Sequence, residues 1–114
     1  MKGYKTGWSA TKLACDVIED VFRIAQGKDA QDKKMPSNVW FNPNTNQWYM
    51  AEWGEKEYDD GHISGKVSRF SGNPIGQERC SAYPVGSLYI EPCGRIRYWP
   101  GMLAAIINAV NLTL

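Results

Sequence analysis

The sequence predicts an α+β domain in which an N-terminal amphipathic helix and a C-terminal apolar helix pack on one face of a mostly antiparallel sheet of four to six strands. Three observations support this prediction. Apolar residues recur at helical spacing near the N-terminus, aromatic runs alternate with turn formers in the middle, and the C-terminal segment carries no charge. A length of 114 residues suits one hydrophobic core, so we expect residues 1–114 to form a single domain.

The first helix is predicted over Ala10–Gln26. Ser9 is a residue type that accepts hydrogen bonds from the free N–H groups of a first helical turn, and Gly27 suits the left-handed position that ends a helix. The apolar face consists of Leu13, Ala14, Val17, Ile18, Val21, Ile24 and Ala25. The opposite side carries Asp16, Glu19, Asp20 and Arg23. An apolar face of this width can lie across a sheet.

Two aromatic runs in the middle of the chain predict a β-hairpin. The strands are 38–41 and 47–53, and the five residues between them are all turn formers. In the second strand Trp48 and Met50 share one face, and Tyr49, Ala51 and Trp53 share the other. Both faces therefore carry large apolar groups. We expect this strand to be covered on both faces, or covered on one face and free to contact a partner on the other.

The remaining strands are predicted at 63–70, 78–83, 86–91 and 95–99. The last helix is predicted from Met102 to Leu112, after Pro100, which suits a first helical turn. Because this segment carries no charge, we expect it to pack in the core or to contribute to a subunit interface. A homo-oligomer formed through the C-terminal helix is therefore one alternative.

Composition and cysteine usage favour a soluble protein of a reducing compartment. Hydrophobic residues make up 43% of the chain and charged residues 22%, as is typical of globular domains. No uncharged apolar stretch is long enough to span a bilayer and no export signal is recognised, so we expect a cytoplasmic protein without a membrane span. For Cys15, Cys80 and Cys93 reduced thiols are the simplest interpretation, and a Cys80–Cys93 bridge is the alternative.

The sequence offers little for catalysis. His62 is its only histidine and follows two aspartates in a predicted turn, where its charged form would be favoured. No Cys, His and acidic residues have the spacing of a catalytic triad or a metal site, and no nucleotide-phosphate motif is present. We therefore expect neither an enzyme nor a bound metal or cofactor, and a small enzyme that uses His62 is a remaining alternative.

Charge is segregated along the chain. Residues 39–60 carry one Lys against five acids, net −4, whereas residues 1–38 carry net +2 and residues 61–114 net +3. Such a cluster of acids is commonly a solvated loop, and the alternative is a docking surface. Aromatic residues, in which protein interfaces are enriched, flank this cluster. The candidate partner-binding residues are Trp48, Glu52, Trp53, Glu55, Glu57, Tyr58, Asp59 and Asp60.

A second candidate surface combines arginine with aromatic residues on the later strands. Its members are Arg69, Arg95, Arg97 and Trp99. This composition is typical of a platform on which single-stranded nucleic acid stacks, and equally of a second protein interface. A net charge of only +1 for the whole chain argues against nucleic acid, because no broad basic field surrounds the platform.

Together these observations favour a small non-catalytic cytoplasmic protein that acts by binding a protein partner. A stoichiometric inhibitor or an immunity-type factor, of the kind that phages and plasmids encode, is the more specific hypothesis, and it rests on analogy alone. The main alternative is a nucleic-acid-binding module that uses the arginine and aromatic residues of the sheet.

Overall fold

The computed structural model describes residues 7–26, 38–54, 63–76, 79–91, 93 and 95–113. It contains two helices and one five-stranded antiparallel sheet, which confirms the predicted α+β class. In chain order the elements are α1 (Ala10–Gln26), β1 (Asn38–Asn42), β2 (Gln47–Trp53), β3 (Ile63–Phe70), β4 (Ala82–Ile90), β5 (Ile96–Tyr98) and α2 (Pro100–Thr113).

Every strand of the sheet pairs with its neighbour in the sequence, in the order β1-β2-β3-β4-β5. The first two strands form the predicted hairpin, with Asn42 opposite Gln47 at its closed end. This arrangement leaves β1 and β5 as the two edges of the sheet.

Both helices pack on one face of the sheet, and α1 and α2 contact each other. The burial of β2 identifies the covered face: Tyr49, Ala51 and Trp53 are buried. On the other side of the same strand Trp48 and Met50 are half-buried and Glu52 is exposed. We call the side that carries the helices the helix face and the opposite side the open face. Among the described residues the helices cover one face of this strand, which is the second of the two predicted possibilities.

Helix α1 begins and ends where the sequence predicts. The Lys12 N–H donates to Ser9 Oγ at 3.2 Å, and the Leu13 N–H donates to the Ser9 carbonyl oxygen at 3.0 Å, so Ser9 caps the helix. On its apolar face Leu13, Ala14, Val17, Ile18 and Val21 are buried and Ile24 is half-buried. Asp20, on the polar side, is nevertheless only 9% exposed, because it contacts the turn between β1 and β2. Gly27 lies outside the described residues.

The two short strands predicted at 78–83 and 86–91 are one strand, β4, so that part of the prediction is wrong. Val67 pairs with Gly86 whereas Ser68 pairs with Pro84, which leaves Val85 as an extra residue on β4. Such a β-bulge lets a strand continue through a proline, which cannot donate to a regular ladder. Pro84 and Gly86 therefore mark an irregularity within the strand and not a break between two strands.

Helix α2 approaches the bulge so closely that only glycine fits there. A Cβ atom built on Gly86 would lie 2.5 Å from Met102 Cβ and 3.0 Å from Met102 Cα. The helix begins at Pro100, two residues before the predicted start. Its buried side chains are Met102, Ile106, Ala109 and Val110.

The outward side of α2 presents small and polar residues. Gly101, Ala104, Asn108 and Asn111 are exposed, and Leu103 and Ile107 are half-buried. Of the two predicted roles for this helix, core packing accounts for the large apolar side chains that are buried. The described part of α2 has no large apolar residue among the exposed ones.

Cys15, Cys80 and Cys93 are all free thiols, so the alternative of a Cys80–Cys93 bridge is wrong. Neither helix, over its described residues, combines the length and hydropathy that crossing a bilayer requires.

Candidate functional site

The open face of the sheet is the candidate site, and it divides into two halves along the strands. Cross-strand partners share a face, so the register of the strands assigns each residue to one side of the sheet. At the end near the β1–β2 turn the open face carries Val39, Phe41, Trp48, Met50, Phe70, Ala82 and Pro84. We call this set the apolar half.

Three aromatic rings of the apolar half surround a cleft. Phe41 and Trp48 contact each other, with ring centroids 5.4 Å apart, and Phe70 lines the cleft from β3. The cleft has a volume of about 300 Å³ and extends to the loop after β3 through Ser71 and Asn73. Phe41 is 39% exposed although it is one of the largest apolar residues of the sheet. This half is therefore an apolar surface with a concave centre.

The other end of the open face is polar. Glu52 pairs with Lys66 across β2 and β3, so one acid lies opposite one base. Tyr89 pairs with Arg97 across β4 and β5, and Arg97 Nη1 lies 3.4 Å from Glu91 Oε1. Lys66 and Arg97 thus each have an acidic neighbour, and Arg95, which lies opposite Glu91, adds a third cation to this half.

The residues predicted as one acidic contact region do not share one surface. Trp48 and Glu52 lie on the open face, as an exposed contact region requires. Trp53 lies on the helix face, is only 7% exposed and donates from Nε1 to Asn38 Oδ1 at 3.1 Å. Its ring lies within 3 Å of the Cβ position of Gly65, so it is part of the core. We therefore remove Trp53 from the candidate site. Glu55, Glu57, Tyr58, Asp59, Asp60 and His62 lie outside the described residues.

The arginine and aromatic residues predicted as a nucleic-acid surface are also divided between faces. Arg69 pairs with Tyr49 and Tyr83, which places it on the helix side, and its guanidinium lies 4.6 Å from the Tyr83 ring centroid. Arg97 is on the open face. The register therefore separates Arg69 from the other three residues. Arg97 and Trp99 line one cleft with Tyr89, and the Glu91 N–H donates to the Arg95 carbonyl oxygen, which places Arg95 on the same side. Arg95 is exposed, and Trp99 is 55% exposed.

A polar cluster that the sequence analysis missed joins α1 to the β1–β2 turn. Asn42 Nδ2 donates to Asp16 Oδ2 at 2.8 Å and to Asp20 Oδ2 at 2.7 Å, and Asn44 Nδ2 donates to Asp16 Oδ2 at 2.9 Å. Arg23 pairs with the other Asp20 oxygen. The sequence pattern that could have predicted this cluster is the i, i+4 spacing of the two acids on one side of α1, together with the asparagine-rich turn.

This cluster has the properties of a structural anchor. Amide and guanidinium donors already occupy the carboxylate oxygens that face the turn. A cleft of about 450 Å³ lies beside it, lined also by Trp40, whose buried Nε1 has no acceptor among the described residues. Among all the residues that the structure describes, no group of three His, Cys, Asp or Glu side chains lies close enough together to hold a metal ion.

Comparison with protein-family models, with curated protein sequences and with solved structures finds no match for this chain. The apolar half presents aromatic rings, a thioether and a proline, which can bury apolar area against another molecule.

Proposed function

We propose that this protein is non-catalytic and acts by binding a protein partner through the apolar half of the open face. The main support for this proposal is the position of the aromatic rings relative to the two helices. Both helices lie on the helix face, and the rings of Phe41, Trp48 and Phe70 belong to the opposite side. These rings line a cleft at the end of the sheet, where Gln47 and Arg69 also line it. Contiguous exposed apolar surface on a small domain is typical of interaction sites.

The chemistry of this surface suits a protein partner. Phe41 and Trp48 are held by neighbouring strands and contact each other, so they lose little conformational freedom when a partner covers them. Interface centres are enriched in aromatic residues and methionine, with a polar rim around them. Glu52 and Lys66, at the border of the apolar half, have the position and chemistry of such a rim.

A stoichiometric inhibitor or immunity-type factor would act in this way, by covering a functional surface of its target. We include a cytoplasmic location in the proposal. Three free thiols support it, because reducing compartments keep cysteines unpaired.

The test is capture of partners from a lysate of the native host with variants that differ at one face only. We expect Phe41→Ser combined with Trp48→Ser to remain folded and to lose the captured protein. Tyr83→Ser is the matched control, because Tyr83 is 45% exposed but lies on the helix side. Circular dichroism establishes folding for each variant. If wild type and all variants capture the same protein equally, the open face is not the binding surface and the proposal fails.

A nucleic-acid partner is the outcome that would replace this proposal. It would appear as capture that nuclease treatment abolishes and that falls steeply with salt concentration. In that case Arg97→Ala on the open face should weaken capture, whereas Phe41→Ser would weaken it through lost base stacking only.

A further inference from the structure

The hydrogen-bond pattern of the sheet determines which backbone groups of edge strand β1 point away from the sheet. The Gly54 N–H donates to the Ser64 carbonyl oxygen at 2.8 Å, so the backbone of Gly54 points toward β3. The direction of the backbone N–H and C=O groups alternates along an antiparallel strand. These groups therefore also point toward β3 at residues 48, 50 and 52, and toward β1 at residues 47, 49 and 51. The partners of these last three residues are Asn42, Trp40 and Asn38.

Val39 and Phe41 therefore direct their N–H and C=O groups outward from the edge. No described residue accepts from or donates to these groups. Their side chains lie on the open face and are 41% and 39% exposed. The same two residues thus combine unused backbone hydrogen-bonding groups with exposed apolar side chains.

The two edges of the sheet differ in how they are protected. Natural proteins protect sheet edges with short strands, charged residues and proline. Strand β5 has the first two of these features, because it has only three residues and contains Arg97. Strand β1 has five residues and contains neither a charge nor a proline. Of these two edges, β1 is therefore the one that can accept another strand without placing a charged residue at the new contact.

We propose that β1 pairs in antiparallel orientation with β1 of a second copy of this chain, with the two-fold axis at Trp40. Val39 then lies opposite Phe41 of the second copy, and Phe41 lies opposite its Val39. Each of these pairs exchanges two hydrogen bonds, so the four outward N–H and C=O groups of each chain's Val39 and Phe41 are all used. The register is self-complementary, as a two-fold interface requires.

Charge and side-chain chemistry favour a second copy as the occupant. Since β1 is uncharged, self-pairing brings no like charges together, and Asn38 lies opposite Asn42 of the second copy. Opposed residues point to the same side of a sheet, so Val39 and Phe41 of both copies meet on one open face. The result is a ten-stranded sheet whose two apolar halves are continuous. The area buried by five paired residues per chain is small compared with the roughly 1,200 Å² that stable interfaces bury. We therefore expect the dimer to be weak and reversible.

Sedimentation equilibrium of the purified full chain over a concentration series tests the proposal. We expect wild type to change from monomer to dimer at or below about 1 mM. Val39→Pro removes one outward N–H and leaves the β1–β2 bonds in place, so it should remain folded and monomeric. Val39→Ala is the matched control. Both substitutions remove the valine side chain, but alanine keeps the backbone N–H, so this variant should still dimerise. A monomeric wild type, or a Val39→Pro variant that dimerises like wild type, would overturn the proposal.

Amide hydrogen exchange separates edge pairing from other modes of association. Protection of the Val39 and Phe41 amides should rise with protein concentration, whereas protection of the Trp40 amide, which bonds within the sheet, should not change. Association without added protection at Val39 and Phe41, such as a dimer through α2, would contradict edge pairing. Both measurements use this chain alone, so their outcome is independent of whether the open face binds a different protein.

Discussion

Asn42 connects three parts of the molecule. Its side-chain nitrogen donates to Asp16 and Asp20 on α1, and its side-chain oxygen accepts from the backbone N–H groups of Asn44 and Thr45, both at 2.9 Å. The side chain therefore holds the turn in shape and ties it to the helix. Thr45 and Tyr49 extend this network, with their hydroxyl oxygens 3.2 Å apart.

We expect Asn42→Ala to lower the free energy of unfolding by about 2 kcal/mol or more, because it leaves buried carboxylate oxygens and turn N–H groups without partners. Urea denaturation monitored by circular dichroism measures the loss. Asn44→Ala is the control: it removes one bond to Asp16 at a half-buried position and should cost less than about 1 kcal/mol. Equal costs for the two variants would mean that the buried contacts of Asn42 do not stabilise the fold.

Trp53 and Trp48 should respond differently to the same substitution. Trp53→Ala should cost about 3–5 kcal/mol, because the ring is buried against Gly65 in the core. Trp48→Ala should cost less than Trp53→Ala, because Trp48 is only half-buried. Its aromatic contact with Phe41 contributes about 0.5–1.5 kcal/mol in addition to the area it buries. Thermal unfolding provides the comparison. If Trp53→Ala does not fold, Trp53→Phe keeps a ring in place and should lose about 1 kcal/mol with the Asn38 hydrogen bond.

Among the elements, those with a regular period could be predicted closely. The bounds of α1 and the ranges of β2 and β3 agree with the sequence prediction, because hydrophobic periodicity and turn residues depend on the local chain only. The bulge in β4 could not be predicted, because it depends on the pairing of Val67 with Gly86 across strands. A proline and a glycine within five residues normally indicate a strand end, and the tertiary contacts override that rule.

The candidate site was predicted only in part for a related physical reason. Alternation along β2 placed Trp48 and Trp53 on opposite faces, but a sequence does not state which face the helices cover. Trp53 is in the core because α1 and α2 pack on its side. The separation of Arg69 from Arg97 likewise follows from the register of β3 and β5, which a single sequence does not fix.

The contact between β4 and α2 gives a sharp prediction for Gly86. We expect Gly86→Ala to cost about 1–3 kcal/mol, because the new methyl group would overlap Met102, including its Cα atom, and α2 would have to move. Gly101→Ala is the control within the same helix. Nothing lies within 4 Å of its Cβ position, and alanine favours helix, so this variant should be stabilised by up to about 1 kcal/mol. A neutral Gly86→Ala would show that the helix does not approach β4 so closely.

For the whole molecule, the distribution of charge predicts weak interaction with nucleic acid. Arg69 and Arg97 are on opposite sides of the sheet, Arg69 stacks on Tyr83, and Arg97 has Glu91 beside it. We expect no binding of a fluorescent single-stranded oligonucleotide at about 0.15 M salt, measured by anisotropy. Binding that persists at this salt concentration and weakens with Arg97→Ala would contradict the expectation.

The neighbour-to-neighbour order of the strands has a kinetic consequence. Since β1 to β5 pair successively, each hairpin can form by closing a short loop, without waiting for a distant segment to arrive. The contact that joins the chain ends is the packing of α1 on α2, which are separated by the whole sheet in sequence. Docking of the first helix onto the last is thus the step with the largest entropy of closure, and we expect it to set the rate at which the domain refolds.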